Sequence, residues 1–203
     1  MLINYSNIID PLLRSVRIKI LEISLIKKDS VVLDVCCGTG DQSFYYAQKS
    51  NHVFGIDIDP HMIGLTGKRK QQKKDNNPVF IIADAGNLPF EDNYFDLVSI
   101  CLALHEKNEE LRNKALAEIK RVTKKDGTII IVDYSVPLPN NPLSLFVKII
   151  EFFAGKNHFD CFNNYIKTGG VEKILKYNNL EAKENIFLAG GMLKLIKIIN
   201  YQI

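Results

Sequence analysis

One stretch limits the folds open to this chain more than any other: Val31-Val32-Leu33-Asp34-Val35-Cys36-Cys37-Gly38-Thr39-Gly40-Asp41. A short apolar run that breaks on glycines and re-enters polar, periodic sequence reads as strand, tight turn and helix, the opening of a crossover unit in a parallel sheet. The missing side chains at Gly38 and Gly40 let a ligand approach the backbone, and the amides that open the next helix can receive a polar or negatively charged group. A dinucleotide turn carries three glycines in the order G-x-G-x-x-G, and the third position here is Ser43. Asp34, four places before Gly38, sets a carboxylate where a diphosphate is repelled and an ammonium is welcome. S-adenosylmethionine carries both an ammonium and a sulfonium.

The rest of the chain extends the same pattern. Apolar runs at Val31 to Val35, Val53 to Ile56, Val79 to Ala83, Phe95 to Ile100 and Thr128 to Asp133 have strand length, and polar periodic segments near 41–50, 60–73 and 109–124 separate them. Strand alternating with helix implies right-handed crossovers and an α/β, Rossmann-like, doubly wound and mostly parallel sheet of about seven strands. Asp10-Pro11 followed by apolar residues at helical spacing predicts a capped first helix that ends near Lys27. After the fifth strand come Pro137, Pro139 and Pro142, a helix to about Ala154, an irregular stretch, and a helix from Val171 to Tyr177. Residues 180–188 and 191–199, joined at Gly190-Gly191, read as an antiparallel hairpin that closes one sheet edge.

Two more acids stand at strand ends. The fork of Asp57 can accept both ribose hydroxyls, whereas Asp59, just before Pro60, suits the cap of the next helix. Asp84 can accept from an adenine amino group while Ala85 offers its amide. The run of motifs resembles the class I S-adenosylmethionine-dependent methyltransferases, and Asp34 to Asp41 is similar to the branch that contains the ubiquinone and menaquinone biosynthesis methyltransferases. The resemblance takes in Asp57, Asp84-Ala85-Gly86-Asn87-Leu88-Pro89-Phe90, Phe95-Asp96-Leu97-Val98, Glu118-Ile119-Lys120-Arg121-Val122 and Asp126-Gly127, so it covers roughly residues 30–135. It implies a cofactor site made by Asp34, Cys36, Gly38, Thr39, Gly40, Asp57, Ile58, Met62, Asp84, Ala85 and Cys101. Two positions depart from that branch: His105-Glu106 stands where an Arg-Asn pair is usual, and Lys125-Asp126-Gly127 replaces Pro-Gly-Gly.

The first departure falls where the transferred methyl should emerge. His105 there is either a general base oriented by Glu106 or simply the end of a strand, with Glu106 opening a helix. Tyr5, Arg17, Tyr134, Phe159 and Tyr165 are candidates for the acceptor pocket, because the first helix and the late insertion should cover the strand ends. The run Lys68 to Lys74 reads as a solvated helix end, with attraction of an anionic substrate or a membrane surface as the other reading. The broad apolar face of Leu145, Phe146, Ile149, Ile150, Phe152 and Phe153 reads as core packing, with a lid or lipid contact as the other reading.

At 203 residues the chain suits one methyltransferase domain: an N-terminal helical cap over 1–28, a cofactor-binding core over 30–135, an acceptor-side insertion over 136–179 and a closing hairpin over 180–203. A net charge of +3 is too weak for a nucleic-acid surface and favours a small-molecule methyl acceptor, with quinone-like and lipid-like molecules among the candidates. No membrane span is expected, peripheral contact is left open, and the chain is expected as a monomer or homodimer. Cys36, Cys37, Cys101 and Cys161 lack metal or redox spacing and read as reduced thiols of a cytoplasmic protein with no leader. The expected reaction is direct in-line displacement that needs S-adenosylmethionine and no metal. The alternatives are a noncatalytic S-adenosylmethionine or S-adenosylhomocysteine binding protein and, less well fitted, a nicotinamide-dependent oxidoreductase.

Overall fold

The computed structural model describes residues 13–73 and 77–201. In chain order the elements are α1 (Arg14–Ser24), β1 (Val31–Val35), α2 (Asp41–Tyr46), β2 (His52–Asp57), α3 (Pro60–Lys73), β3 (Val79–Ile82), β4 (Phe95–Cys101), α4 (Glu109–Val122), β5 (Thr123–Tyr134), α5 (Pro142–Phe153), α6 (Lys156–Thr168), α7 (Gly170–Tyr177), β6 (Ala182–Leu188), a 3₁₀ turn (Ala189–Gly191) and β7 (Leu193–Ile199). The strands form one seven-stranded sheet in the order β3-β2-β1-β4-β5-β7-β6. Five strands pair in parallel, and β7 runs antiparallel to both β5 and β6. The winding reverses between β1 and β4, and the carboxyl ends of strands at such a switch point form a crevice suited to ligands.

Alternation along β1 shows how the sheet is held. Val32 packs with Val16 and Ile20 of α1, Tyr46 of α2, Val147 of α5 and Phe162 of α6. Leu33 and Val35 belong to the opposite cluster, with Leu116 and Ile119 of α4 and Ile174 and Leu175 of α7. Each fully buried aliphatic side chain contributes about 1.5–3 kcal/mol, so burial on both faces holds these strands more than β-propensity does. Lys197 of β7 donates to the Ile23 carbonyl at 2.9 Å, which ties the end of α1 to the sheet.

The closing hairpin forms as expected, with Gly190 and Gly191 in left-handed conformations (φ 65° and 87°) that a turn of this kind requires. Three features differ from the sequence reading. The fifth strand begins at Thr123, because Thr123 pairs with Phe95 across an irregularity that lengthens the ladder. The stretch taken as irregular is the helix α6. Its sequence, rich in Asn and other weak helix formers, hides the pattern, and burial of Phe162 and Tyr165 holds the helix.

The apolar face of α5 points outward. Leu145, Phe146, Ile149, Phe152 and Phe153 are exposed, whereas Ser144, Val147 and Glu151 face inward. Polar inward positions are what a helix needs when it lines a polar site rather than a core. The capping reading of Asp10-Pro11 lies outside the described residues.

Candidate active site

The turn after β1 is built by backbone and held by acids. Cys36, the first residue past β1, turns the chain at φ 56°, the Cys37 amide donates to the Ile56 carbonyl at 2.8 Å, and the Gly40 amide donates to the Cys37 carbonyl at 2.9 Å. Asp57, at the end of β2, accepts from the Gly38 amide at 2.9 Å and, with its other oxygen, from the Asp59 amide at 3.0 Å. Asp59 accepts from the His61 amide at 2.8 Å, the bond of an N-cap.

The two glycines of the turn do different jobs. A Cβ added at Gly38 would meet nothing within 4 Å, so its open side is a ready place for a ligand. A Cβ at Gly40 would come within 2.6 Å of the Phe80 ring. A side chain at Gly40 would oblige the Phe80 ring to shift, so packing also bears on this position.

Asp34 is fully buried beside this turn, in register with Ser99 of β4. It accepts from the Ser43 hydroxyl at 2.7 Å and the Ser99 hydroxyl at 3.1 Å. Burial pushes its carboxyl up to about 6, although the two hydroxyls pull it back.

A cleft of about 400 Å³ opens at these strand ends. It gathers Asp34, Cys36, Gly38, Thr39, Asp57, Ile58, Met62 and Cys101 of the expected cofactor residues, together with Arg17. Gly40, Asp84 and Ala85 do not line it. Asp84 is exposed two residues past Ile82, the register partner of Asp57, and holds the Gly86 amide at 2.9 Å; Ala85 is buried against the core. Sequence reasoning missed Leu13, Cys37, Gln42, Leu102, Ala103 and His158 on the lining, and placed Asp59 only as a cap and Glu106 only as a partner of His105 or the opening of a helix. Gln42 is buried, and its side-chain amide makes no hydrogen bond of good geometry with the protein, which leaves donor and acceptor for a ligand.

The other side of the cleft is built from side chains. His105 is buried behind the lining, and Asp133, rather than Glu106, orients it: Asp133 lies 2.7 Å from Nδ1 and accepts from the Leu104, His105 and Tyr134 amides. Burial pulls the His105 imidazole down, but Asp133 and Glu151 outweigh it and hold the ring above its ordinary range. Glu106 pairs with Lys107 at 3.0 Å. Tyr134 does not reach the cleft; its hydroxyl donates to Glu151 at 2.8 Å. Tyr165 is fully buried and donates to the Tyr134 carbonyl at 3.0 Å, and Phe159 packs against Phe152 and Phe162. Tyr5 lies outside the described residues.

Arg112 of α4 locks this side. Its guanidinium donates to the Leu104 carbonyl at 2.9 Å, the Cys161 carbonyl at 2.6 Å and Asn164 at 2.8 Å, which fixes the exit of β4 against α6. Burial pushes the Cys36 and Cys101 thiols up to about 12 and lifts Cys37 as well, so these three stay protonated near neutrality.

The sheet order and a polar cleft at the ends of β1, β2 and β4 define the Rossmann-like class I methyltransferase architecture. Residues 33–131 match a family described as "Methyltransferase domain". That match runs from β1 into β5 and likens this part of the chain to methyltransferases. A demethylmenaquinone methyltransferase of Renibacterium salmoninarum is 42% identical over 106 residues, which is 52% of this chain and 42% of the relative. One from Lactobacillus johnsonii is 31% identical over 173 residues, 83% of this chain and 66% of the relative. The chain spans about half the length of the first curated relatives it matches. A SAM-dependent methyltransferase from Aquifex aeolicus superposes with a TM-score of 0.65 at 19% identity, over 90% of this chain and 88% of that one, a likeness of fold. Among the described residues, no helix is long and apolar enough to cross a membrane.

Proposed function

We propose that this chain, acting as one domain, binds S-adenosylmethionine at the β1–β2 strand ends and transfers its methyl group to a small-molecule acceptor. Supporting this reading above all is the open side of Gly38, which faces a cleft walled by the carboxylates of Asp34 and Asp57. Asp34 and the turn from Cys36 to Gly40 would hold the methionyl part, with Cys101 near it. Asp57 would take the ribose with the lone pairs it does not spend on Gly38 and Asp59. Ile58 and Met62 would flank the base, and Asp84 and Ala85 would meet the adenine from the neighbouring strand end.

The acceptor attacks the methyl carbon in line, and the C–S electron pair leaves with sulfur as S-adenosylhomocysteine. The protein contributes by holding nucleophile, carbon and sulfur collinear in a site shielded from water. His105, backed by Asp133, is the acid/base candidate for the proton the acceptor loses. Relatives named for demethylmenaquinone put a quinone-like acceptor first for screening. The exposed apolar face of α5, beside the acceptor side, suits a lipid-like molecule delivered from a membrane surface.

Calorimetric titration with S-adenosylmethionine, S-adenosylhomocysteine and NAD tests the cofactor. Micromolar binding of the first two, weakened at least a hundredfold by Asp57→Ala, is expected. Silence toward both, or preference for NAD, overturns the reading.

A further inference from the structure

Behind the cleft wall, three side chains from separate elements converge in a way that methyl transfer does not require. His105 follows β4, Glu151 lies on the inward stripe of α5, and His158 stands in the first turn of α6; one ligand atom of each lies within 4.8 Å of the others. Both imidazoles present Nε2 to the Glu151 carboxylate, at 3.7 Å from His105 and 2.5 Å from His158. Both turn Nδ1 toward a further carboxylate, Asp133 at 2.7 Å and Glu106 at 3.8 Å. The Tyr134 hydroxyl steadies Glu151 at 2.8 Å. A histidine anchored through one ring nitrogen to a carboxylate, with the other nitrogen aimed at a shared point, is the usual surrounding of a protein-bound transition metal. We propose that His105 Nε2, a Glu151 oxygen and His158 Nε2 bind one divalent transition-metal ion of the zinc type, with an open coordination position toward the cleft.

The two imidazoles stand differently toward Glu151: His158 Nε2 is within hydrogen-bond reach and His105 Nε2 is not. At 3.7 Å, His105 Nε2 and Glu151 are too far apart to bond directly, yet this is the spacing of two atoms each ~2.1 Å from one ion. Asp133 is itself held by the Leu104, His105 and Tyr134 amides, which makes it a rigid anchor for the His105 ring. Two imidazoles and a carboxylate suit zinc, cobalt or iron rather than magnesium or calcium, which prefer all-oxygen shells. Binding requires the His158–Glu151 contact to open, and His158, 27% exposed and itself on the cleft lining, has room to move. An ion and a proton on His105 Nε2 exclude each other, so a metal-bound enzyme would activate an acceptor oxygen by ligation instead.

The site stands apart from the cofactor reading and is tested without any cofactor. Chelator-stripped protein is titrated with Co²⁺, followed by visible absorption, and then challenged with Zn²⁺. One equivalent of Co²⁺ per chain, displaced by Zn²⁺ and weakened at least tenfold in both His158→Ala and Glu151→Gln, is the expected result. Thermal melting of each variant reports its fold; if Glu151→Gln unfolds, the more exposed His158→Ala carries the test. No saturable Co²⁺ spectrum, or a spectrum unchanged in the folded variants, overturns the site. Co²⁺ binding with no response to S-adenosylhomocysteine would remove the cofactor reading and leave the metal site, and the reverse pattern would do the opposite.

Discussion

On the β1–β2 side of the cleft the holding is done at backbone amides, with Asp57 fastening the Gly38 amide of the glycine turn and Asp57 and Asp59 fastening the amides where β2 passes into α3. On the α5–α6 side the holding passes to side chains: His105, Asp133, Tyr134, Glu151 and His158 come from separate elements and meet only when the helices pack. A turn held by backbone bonds to the adjacent strand has its geometry set by the sheet ladder, whereas a convergent cluster of side chains inherits its geometry from the helices packed around it. Substitutions that disturb packing should therefore hurt the second side far more than the first.

The largest effect is expected at Arg112. Arg112→Ala would leave the Leu104 and Cys161 carbonyls and the Asn164 side chain without their buried donor, at a cost of about 3–5 kcal/mol. Urea unfolding should show the loss, and S-adenosylhomocysteine should still bind to whatever remains folded. Equal damage to cofactor affinity would break the contrast between the two sides, because it would mean that the glycine turn also depends on the acceptor-side core.

A second effect of similar size sits under the turn. Asp34 is held at about 6 in the fold and near 4 in the unfolded chain, so folding favours its protonated form. Its contribution, about 3 kcal/mol at most, is fully present below the unfolded value and is lost as the pH rises through about 6. Thermal melts of the ligand-free protein should fall as the pH rises from about 4 to about 6 and level off above that, and Asp34→Asn should flatten the fall. Cofactor affinity should move the opposite way, rising with pH in the native protein as the ionised carboxylate becomes available to an ammonium group. If Asp34→Asn binds S-adenosylhomocysteine as tightly as the native chain at pH 8, Asp34 is a structural acid and the methionyl end lies elsewhere.

The same contrast explains what can be read from the sequence. The strands through Thr128–Asp133, the glycine turn, Asp57 and the closing hairpin follow from local periodicity and turn chemistry, which act over a few residues. The Asp133–His105 pairing, the inward Glu151 and the helix carrying His158 do not, because each depends on contacts remote in the chain. Glu151 is hidden among Leu145, Phe146, Ile149, Phe152 and Phe153, where the apolar majority suggests core packing for the wrong face of the helix. An isolated acid on an otherwise apolar helix is the available signal. The packing at Gly40 is hidden for a related reason, since its neighbour Phe80 is on another strand.

The smallest effect gives the sharpest separation of packing from binding, because it compares two glycines of one turn. Both Gly38 and Gly40 are left-handed, at φ 53° and 77°, so alanine at either should cost about 1 kcal/mol for the backbone alone. At Gly38 the new methyl meets no protein atom within 4 Å and projects into the space assigned to the ligand. Gly38→Ala should therefore lose little stability beyond that backbone cost and at least tenfold in S-adenosylhomocysteine affinity. At Gly40 the methyl meets the Phe80 ring, so Gly40→Ala should lose more stability and less affinity. Paired urea midpoints and calorimetric titrations would read both quantities. Were Gly38→Ala to bind as tightly as the native chain, the open side of that residue would face solvent rather than cofactor, and the backbone-built half of the cleft would need another occupant.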